Sequence, residues 1–236
     1  MRLKLFKVKD LLTTFNIQVS DKLCLKDPES SELGKRIIHG CIELIDDLGF
    51  ENFTFRKLAQ EIGSTEASIY RYFESKHKVL LYLCSWYWSW MEYHLAFKVA
   101  NISSAEERLK RAIRLVTVDL KVDNIYPHIN EEKLHQIVIS ESTKAYMNKE
   151  VDQENKEGAY RQYKQFVARI SAIVQELSPE YKYPNMLIST VIEGAHLQHH
   201  FAAHLPGLTD SIKEEDAIAS FYQDIVFKAI KTNRAS

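Results

Sequence analysis

Residues 53–76 read FTFRKLAQEIGSTEASIYRYFESK, and this stretch decides the fold. Apolar residues recur at three- and four-residue steps on either side of Gly63, which predicts two short helices joined by a tight turn. Thr54 stands before the first helix, and Ser64 or Thr65 before the second, in positions typical of N-caps. The stretch therefore predicts the last two helices of a helix-turn-helix.

A further helix is expected immediately upstream. From Ser30 or Ser31, either of which can cap the start, apolar residues share one face up to Leu48. Gly49 follows, at the position where helices commonly end in a left-handed residue. The sequence thus predicts three helices between Ser30 and Lys78, in which the third has the geometry to enter a DNA groove.

Long helices are expected in the rest of the chain, because it has only 7 Gly and 5 Pro among 236 residues. The expected fold is all-α, with an N-terminal three-helix domain over residues 30–77 and a larger helical domain over 78–236. Within the larger domain the periodicity predicts helices over 77–100, 104–121, 130–148, 155–177, 184–204 and 214–232.

The first 29 residues follow a different pattern, which we treat as a short N-terminal arm. Apolar residues alternate with polar ones at Ile17 and Val19 and again at Leu23 and Leu25. A two-residue period suits short strands. Residues 26–30, KDPES, then form an expected turn into the first helix.

Charge and composition exclude several classes. The net charge is only −1, which gives no support to non-specific polyanion binding by the whole chain, so any DNA contact has to come from a local surface. The three cysteines are far apart and lack metal-type spacing, and no apolar run is long enough to span a bilayer. We expect a reduced, cytoplasmic protein with no membrane contact and no cofactor.

The stretch 53–76 resembles the DNA-binding signature of the TetR/AcrR family. The shared features are a Thr that caps the second helix, an apolar–Ala pair within it, a Gly at the turn and a third helix that ends in Tyr-x-x-Phe, followed by a polar pair and Lys. The resemblance implies DNA contacts from Thr54, Arg56, Thr65, Glu66, Ala67, Ser68, Tyr70, Arg71, Tyr72 and Lys76.

The resemblance also implies individual roles. Thr54 would cap the second helix and touch a phosphate, and Lys76 would contact a phosphate from the start of the fourth helix. Tyr70 and Tyr72 would reach backbone oxygens or bases. Small polar residues would face the groove, namely Thr65, Ala67 and Ser68. The competing interpretation is a three-helix packing unit without a DNA role.

Two residues depart from the family pattern. Ser64 stands after the turn glycine, where the family usually has an apolar residue, and Glu66 stands where it often has a basic one. The carboxylate of Glu66 could accept from cytosine N4, or it could point away from DNA and stabilise the helix start, which is the interpretation that we favour.

The predicted three-helix domain is also poor in positive charge. Between Ser30 and Lys76 there are eight acids and six bases. We hypothesise that basic residues of the arm restore local positive charge at the DNA, namely Arg2, Lys4, Lys7 and Lys9.

For the larger domain, the resemblance implies an effector pocket and a dimer interface. The fourth helix is rich in aromatics, which either line a pocket for an apolar effector or form ordinary core. The pocket would be lined by Trp86, Trp90, Tyr93, Glu141, His196 and His200. The helices at 184–204 and 214–232 would form a four-helix bundle across a two-fold axis, although an intramolecular core would use the same pattern.

One further cluster has the residue types of a metal site. Glu193, His196, His200 and His204 follow one another at three- and four-residue steps, a spacing that can present two imidazoles and a carboxylate to one ion. The other interpretation is a His-rich helix at a dimer seam or pocket edge, and we assign no metal.

The sequence therefore predicts a DNA-binding transcriptional regulator, not an enzyme. Its partners would be a double-stranded DNA operator, a small-molecule effector that releases a repressor, and a second copy of the chain. The alternatives are a metal-dependent helical enzyme that uses Glu193, His196 and His200, and a regulator without a small ligand.

Overall fold

The computed structural model describes residues 17, 19–118, 125–210 and 217–231. Within these ranges the chain forms helices, turns and bends, and no strand. The helices are α1 (Glu32–Leu48), α2 (Phe55–Glu61), α3 (Glu66–Tyr70), α4 (Lys76–Val99), α5 (Ala105–Thr117), α6 (Glu131–Tyr146), α7 (Val151–Lys156), α8 (Arg161–Leu177), α9 (Pro184–His204) and α10 (Ala217–Lys231). The predicted all-α fold is confirmed.

The described residues divide into two compact units. The first, which we call the HTH unit, takes its residues from Gln18–Ser89 and Lys121–Gln162. The second, which we call the C-terminal unit, takes its residues from Trp90–Leu120 and Tyr163–Ser236, together with Ile17. The predicted domain limits at residues 29 and 77 remain predictions.

The first three helices begin where the sequence predicts, because each has a side-chain cap. The backbone N–H of Gly34 donates to Ser31 Oγ over 3.1 Å. At α2 and α3 the corresponding acceptors are Thr54 Oγ1 and Thr65 Oγ1, at 3.3 and 3.2 Å. Each cap satisfies a backbone donor that the helix itself cannot pair.

The helix predicted over 155–177 is wrong at its start, because the structure has a break there. Helix α7 ends at Lys156 and α8 begins at Arg161. Gly158 has a φ of +86°, a left-handed conformation that ends α7 and is easily adopted by glycine. The N–H of Ala159 donates to the carbonyl of Glu154 over 3.0 Å and closes the helix end. A single glycine in a helical pattern did not reveal this break.

The expectation of strands in the arm is also wrong for the residues that the structure describes. Residues 19–27 form turns and bends, and Pro28–Ser30 is a single 3-10 turn. Leu23 is only 1% exposed, so the segment is part of a packed core. The four basic residues proposed for DNA contact, Arg2, Lys4, Lys7 and Lys9, lie outside the described residues.

The core of the HTH unit holds the three short helices together. Fully buried side chains come from α1, α2 and α3, and include Ile38, Cys41, Leu58 and Ile69. Burying an aliphatic side chain of this size contributes about 1.5–3 kcal/mol. Gly40 lets α1 approach α2 closely, since a Cβ there would lie 2.7 Å from Ile62 Cγ2.

Helix α6 packs against α1 and carries a lysine inside a cluster of acids. Lys133 Nζ lies 2.8 Å from Glu43, 3.4 Å from Asp46 and 3.0 Å from Asp47. Burial alone would raise the pKa of Glu43, but hydrogen bonds from Lys133 and Asn130 bring it below its usual value. Hydrogen bonds to the three carboxylates, of which Glu43 has the largest effect, raise the pKa of Lys133.

The C-terminal unit packs α5 against both α9 and α10. Gly194 in α9 lies against Tyr222 in α10, where a Cβ would come 2.1 Å from the phenol oxygen. Arg108 and Glu176 form an ion pair of 2.6 Å between α5 and α8. Among the described helices, none has the length and apolar character needed to cross a membrane.

The lysine at position 133 generates a prediction about pH. Lys133→Met should lower the free energy of unfolding at pH 7 by about 1–2 kcal/mol, because three carboxylates lose their shared cation. The pKa of Glu43 is lower in the folded protein than the ordinary value of 4.5. Glu43 therefore stabilises the wild type at pH values above 4.5, and this contribution is lost as the pH falls through the folded pKa. In the variant, protonation relieves repulsion instead.

The difference in unfolding free energy between wild type and Lys133→Met should therefore shrink as the pH falls below about 4.5, as urea titrations at several pH values can show. Lys149→Met is the matched control, since Lys149 is exposed and should change stability little. A pH-independent difference would contradict the role given to the acids.

Candidate nucleic-acid interface

Helix α3 has a buried side and an exposed side, and the exposed side carries small and polar residues. Ile69 is fully buried. Thr65, Glu66, Ala67, Tyr70 and Arg71 are exposed, and Ser68 is partly exposed. This face fits the need of a recognition helix for small side chains that let the backbone approach base edges.

The turn between α2 and α3 fixes the angle of that face. Gly63 has a φ of +60°, and the N–H of Ser64 donates to the carbonyl of Ala59 over 2.8 Å. The rings of Phe55 and Tyr70 meet edge to face with centroids 4.9 Å apart, which joins the start of α2 to the end of α3.

Thr54 and Arg56 lie at the start of α2 and are both exposed, as a phosphate contact requires. Thr65 serves first as the cap of α3, and its hydroxyl also lies 2.9 Å from that of Ser68. Glu66 is the first residue of α3 and forms no ion pair with any residue that the structure describes. Its carboxylate is well placed to stabilise the helix start, where peptide dipoles favour negative charge.

Tyr72 is the clear correction among the predicted DNA contacts. Its side chain is 1% exposed, so it cannot reach a backbone oxygen or a base. The phenol oxygen lies 2.8 Å from Ser31 Oγ, and Lys26 Nζ donates to it over 3.3 Å. The hydrogen bond with Ser31 lowers the pKa of Tyr72, and Lys26 lowers it further, although burial opposes them.

Lys76 is also occupied within the protein. Its ammonium donates to the carbonyls of Phe50 and Glu51, each over 3.0 Å, and lies 4.8 Å from the centre of the Phe50 ring. Lys76 thus holds the loop that follows α1, and only its remaining N–H is left for a phosphate.

Half of the eight acids in this region lie against lysines of α6. Glu43, Asp46 and Asp47 pair with Lys133 of α6. Glu51 lies 3.3 Å from Lys144. Two lysines of α6 therefore contact four of the eight acids counted from the sequence, and they offset at most two of those negative charges.

The six residues predicted for the effector pocket belong to different units. In the HTH unit, Trp86 packs edge to face on Tyr126, and Glu141 accepts from the N–H of Phe50 over 3.2 Å and pairs with Lys144. The other four lie in the C-terminal unit: Trp90 and His196 are buried, while Tyr93 and His200 are partly exposed.

The C-terminal unit has a cavity of about 410 Å³, and none of the six predicted residues lines it. Polar and apolar residues from α9, from the segment that follows it and from the start of α10 surround this space, and include Gln198, Thr209, Asp210, Ile218 and Phe221. A pocket formed by the six predicted residues remains a prediction.

The His-rich stripe does not form a metal site within the described parts of the chain. No three His, Cys, Asp or Glu side chains there come together as metal ligands. Glu193 accepts from Tyr163 over 2.6 Å, and the rings of His200 and His204 are tilted by 44° with centroids 4.7 Å apart.

Sequence reasoning missed the residues that brace the recognition helix from outside the three-helix pattern. Lys26 lies 46 residues from Tyr72 in the chain, and Leu25 donates to the carbonyl of the same tyrosine. No local periodicity reports such pairs. The sequence signal that could have indicated such packing is the apolar Leu23 and Pro28 in the segment treated as an arm, and both residues are buried.

Comparison with known families finds one match. Residues 37–83 match the description "Bacterial regulatory proteins, tetR family". This range holds most of α1, all of α2 and α3, and the start of α4. Comparison with curated protein sequences gives no significant match.

Solved structures share the fold over most of the chain at low sequence identity. The regulator PfmR, a TetR family transcriptional regulator from Thermus thermophilus, has a TM-score of 0.53 at 14% identity, over 83% of this chain and 94% of its own. AibR, in complex with isovaleryl coenzyme A and operator DNA, has a TM-score of 0.53 at 17% identity, over 82% and 98%. Superantigen PfiT has a TM-score of 0.55 at 15% identity, over 88% and 100%.

These likenesses establish the all-helical fold, and the sequence match establishes the type of the DNA-binding domain. The caps of α2 and α3, the turn between them and the exposed face of α3 all fall inside the matched range. Over residues 37–83 the chain is therefore similar to the bacterial regulatory proteins of the tetR family.

Proposed function

We propose that this protein is a sequence-specific transcriptional repressor that binds a palindromic operator as a homodimer and is released by a small molecule. The observation that carries the DNA-binding part is the exposed face of α3, with Ala67 and Ser68 outward and Ile69 buried beneath them. Two such helices, one from each protomer, would read two half-sites in successive major grooves.

The test is selection of bound sequences from random duplex DNA with the purified full chain. We expect a palindrome whose half-sites lie about 10 base pairs apart, because two symmetric recognition helices reach the same side of the duplex at that spacing. Enrichment of no motif, or of a single site without symmetry, would contradict the proposal.

Ala67→Trp sharpens this test. A large side chain on the exposed face of α3 should prevent close approach to the base edges. Each lost base contact costs about 1–3 kcal/mol, so two protomers should lose at least about 30-fold in operator affinity. Ala168→Trp, at an exposed position of α8, is the control and should bind as the wild type does.

The proposal of a small-molecule effector rests on the C-terminal unit. Its cavity of about 410 Å³ lies in the size range of small-ligand pockets. AibR, which shares the fold, binds isovaleryl coenzyme A together with operator DNA. A ligand that binds more tightly to the DNA-free protein than to the DNA-bound protein would lower operator affinity. The size of the decrease is set by the difference between these two ligand affinities.

Thermodynamic reciprocity makes the effector testable. Compounds that raise the melting temperature, with isovaleryl coenzyme A as the first probe, should release labelled operator. The operator should weaken their binding by the same factor. A reporter placed behind the selected operator should be silenced by the protein and restored by the ligand. Ligands that stabilise the protein without changing operator affinity would refute effector release.

The proposal of a homodimer rests on apolar side chains that α9 and α10 leave exposed. Phe221 is 53% exposed, and Leu197 and Met186 are also open to solvent. Such residues on two adjacent helices favour a four-helix bundle with a second copy of the same pair.

Phe221→Lys should shift the protein from dimer to monomer. The interface would be isologous, so each substitution acts twice, and a loss of about 1 kcal/mol per copy raises the dissociation constant at least 30-fold. Sedimentation velocity over a concentration series measures this. Met147→Lys is the control, because Met147 is 78% exposed but lies in the HTH unit. A dimer that survives Phe221→Lys and dissociates with Met147→Lys would place the interface elsewhere.

A further inference from the structure

The segment before α1 forms a hydrogen bond with the chain just after the recognition helix α3. The N–H of Leu25 donates to the carbonyl of Tyr72 over 2.7 Å, directly after the last turn of α3. Carbonyls at a helix end lack partners within the helix, so this contact completes α3 from outside. Pro28 also lies against the start of α1, where a Cβ on Gly34 would come 2.1 Å from its carbonyl oxygen.

Lys26 belongs to this segment and is held by Tyr72. Its ammonium donates to the buried phenol oxygen over 3.3 Å and lies 5.1 Å from the centre of the ring. Ser31 Oγ contacts the same phenol oxygen and also accepts from the N–H of Gly34, so the tyrosine is itself fixed. An ammonium donates three hydrogen bonds, and the phenol uses one of them.

The position of Lys26 matters because of its neighbours. It remains exposed, and the exposed Arg71 precedes Tyr72 in the chain, so both cations belong to the end of α3. No acid forms an ion pair with Lys26 among the residues that the structure describes. A cation fixed beside a recognition helix, with free donors and no acidic partner, is suited to a DNA phosphate.

We propose that Lys26 is a phosphate contact of the DNA interface, positioned by Tyr72 at the end of the recognition helix. The inference rests on the proposed operator binding and adds a residue outside the range that matches the tetR family. Tyr72 is then a positioning residue: it does not touch DNA, and it acts through the lysine.

The test is the salt dependence of binding by the full chain to the selected operator and to an unrelated duplex. Each phosphate contact contributes about 1 to the slope of log affinity against log salt. Lys26→Gln in a dimer should reduce the slope by about 2 on both duplexes, and it should weaken both by a similar factor. Loss of a base contact would weaken the operator alone.

Lys22→Gln is the matched control, because Lys22 is an exposed lysine of the same segment and carries the same charge. It should leave the slope unchanged. Tyr72→Phe keeps the ring but removes the hydroxyl, so it should weaken binding in the same direction as Lys26→Gln, and adding Lys26→Gln to it should cost less than in the wild type.

Several results would overturn the proposal. An unchanged slope in Lys26→Gln would show that the lysine only packs on the tyrosine. An equal change in Lys22→Gln would show a general effect of charge without a contact. Both are distinct from a failure of the proposed function, in which the wild type itself prefers no duplex and selection returns no palindrome.

Discussion

A recognition helix of five residues cannot stay folded by itself, and the structure around α3 follows from that constraint. Helices shorter than about 12 residues are marginal in water, because nucleation costs more than a few hydrogen bonds return. Here Ile69 anchors the helix in the core, Thr65 caps its start and Leu25 pairs with the carbonyl that follows its end. Each support comes from a different part of the chain, so the exposed face is fixed as a consequence of tertiary packing.

The local part of this arrangement could be predicted from the sequence, and the long-range part could not. Caps depend on the residue at one position, so Thr54 could be identified directly, and Ser31 and Thr65 were each predicted as one of two adjacent residues. The partner of Tyr72 depends on how a segment 46 residues away folds back, which no period of 2 or 3.6 records. A tyrosine predicted to face DNA therefore proved to be buried.

The larger domain shows the same limit more strongly. Its helices were predicted within a few residues wherever a turn or a proline marked the break, and wrongly at Gly158, where one glycine gave no sign of a left-handed turn. The predicted effector residues share helical periodicity and aromatic character, but residues of that kind also form ordinary core. Trp86 on Tyr126 is such a case, and Glu141 is occupied by Phe50 and Lys144. Likeness of fold adds little here, since PfiT, a superantigen, has a TM-score as high as that of the regulators compared.

The distribution of charge explains how a chain of net charge −1 can present a usable DNA surface. Phosphate contacts contribute affinity without sequence information. A surface around α3 with few cations should therefore bind DNA of unrelated sequence weakly. Lys133 and Lys144 of α6 pair with acids of α1 and of the loop after it, which offsets part of the negative charge of this region. Among the remaining positive groups, Arg56 is exposed near the start of α2 and Arg71 directly after α3. In such an arrangement the ratio of specific to non-specific affinity depends on how well α3 fits the base edges. The few fixed cations contact phosphates and so determine where along the groove α3 is placed.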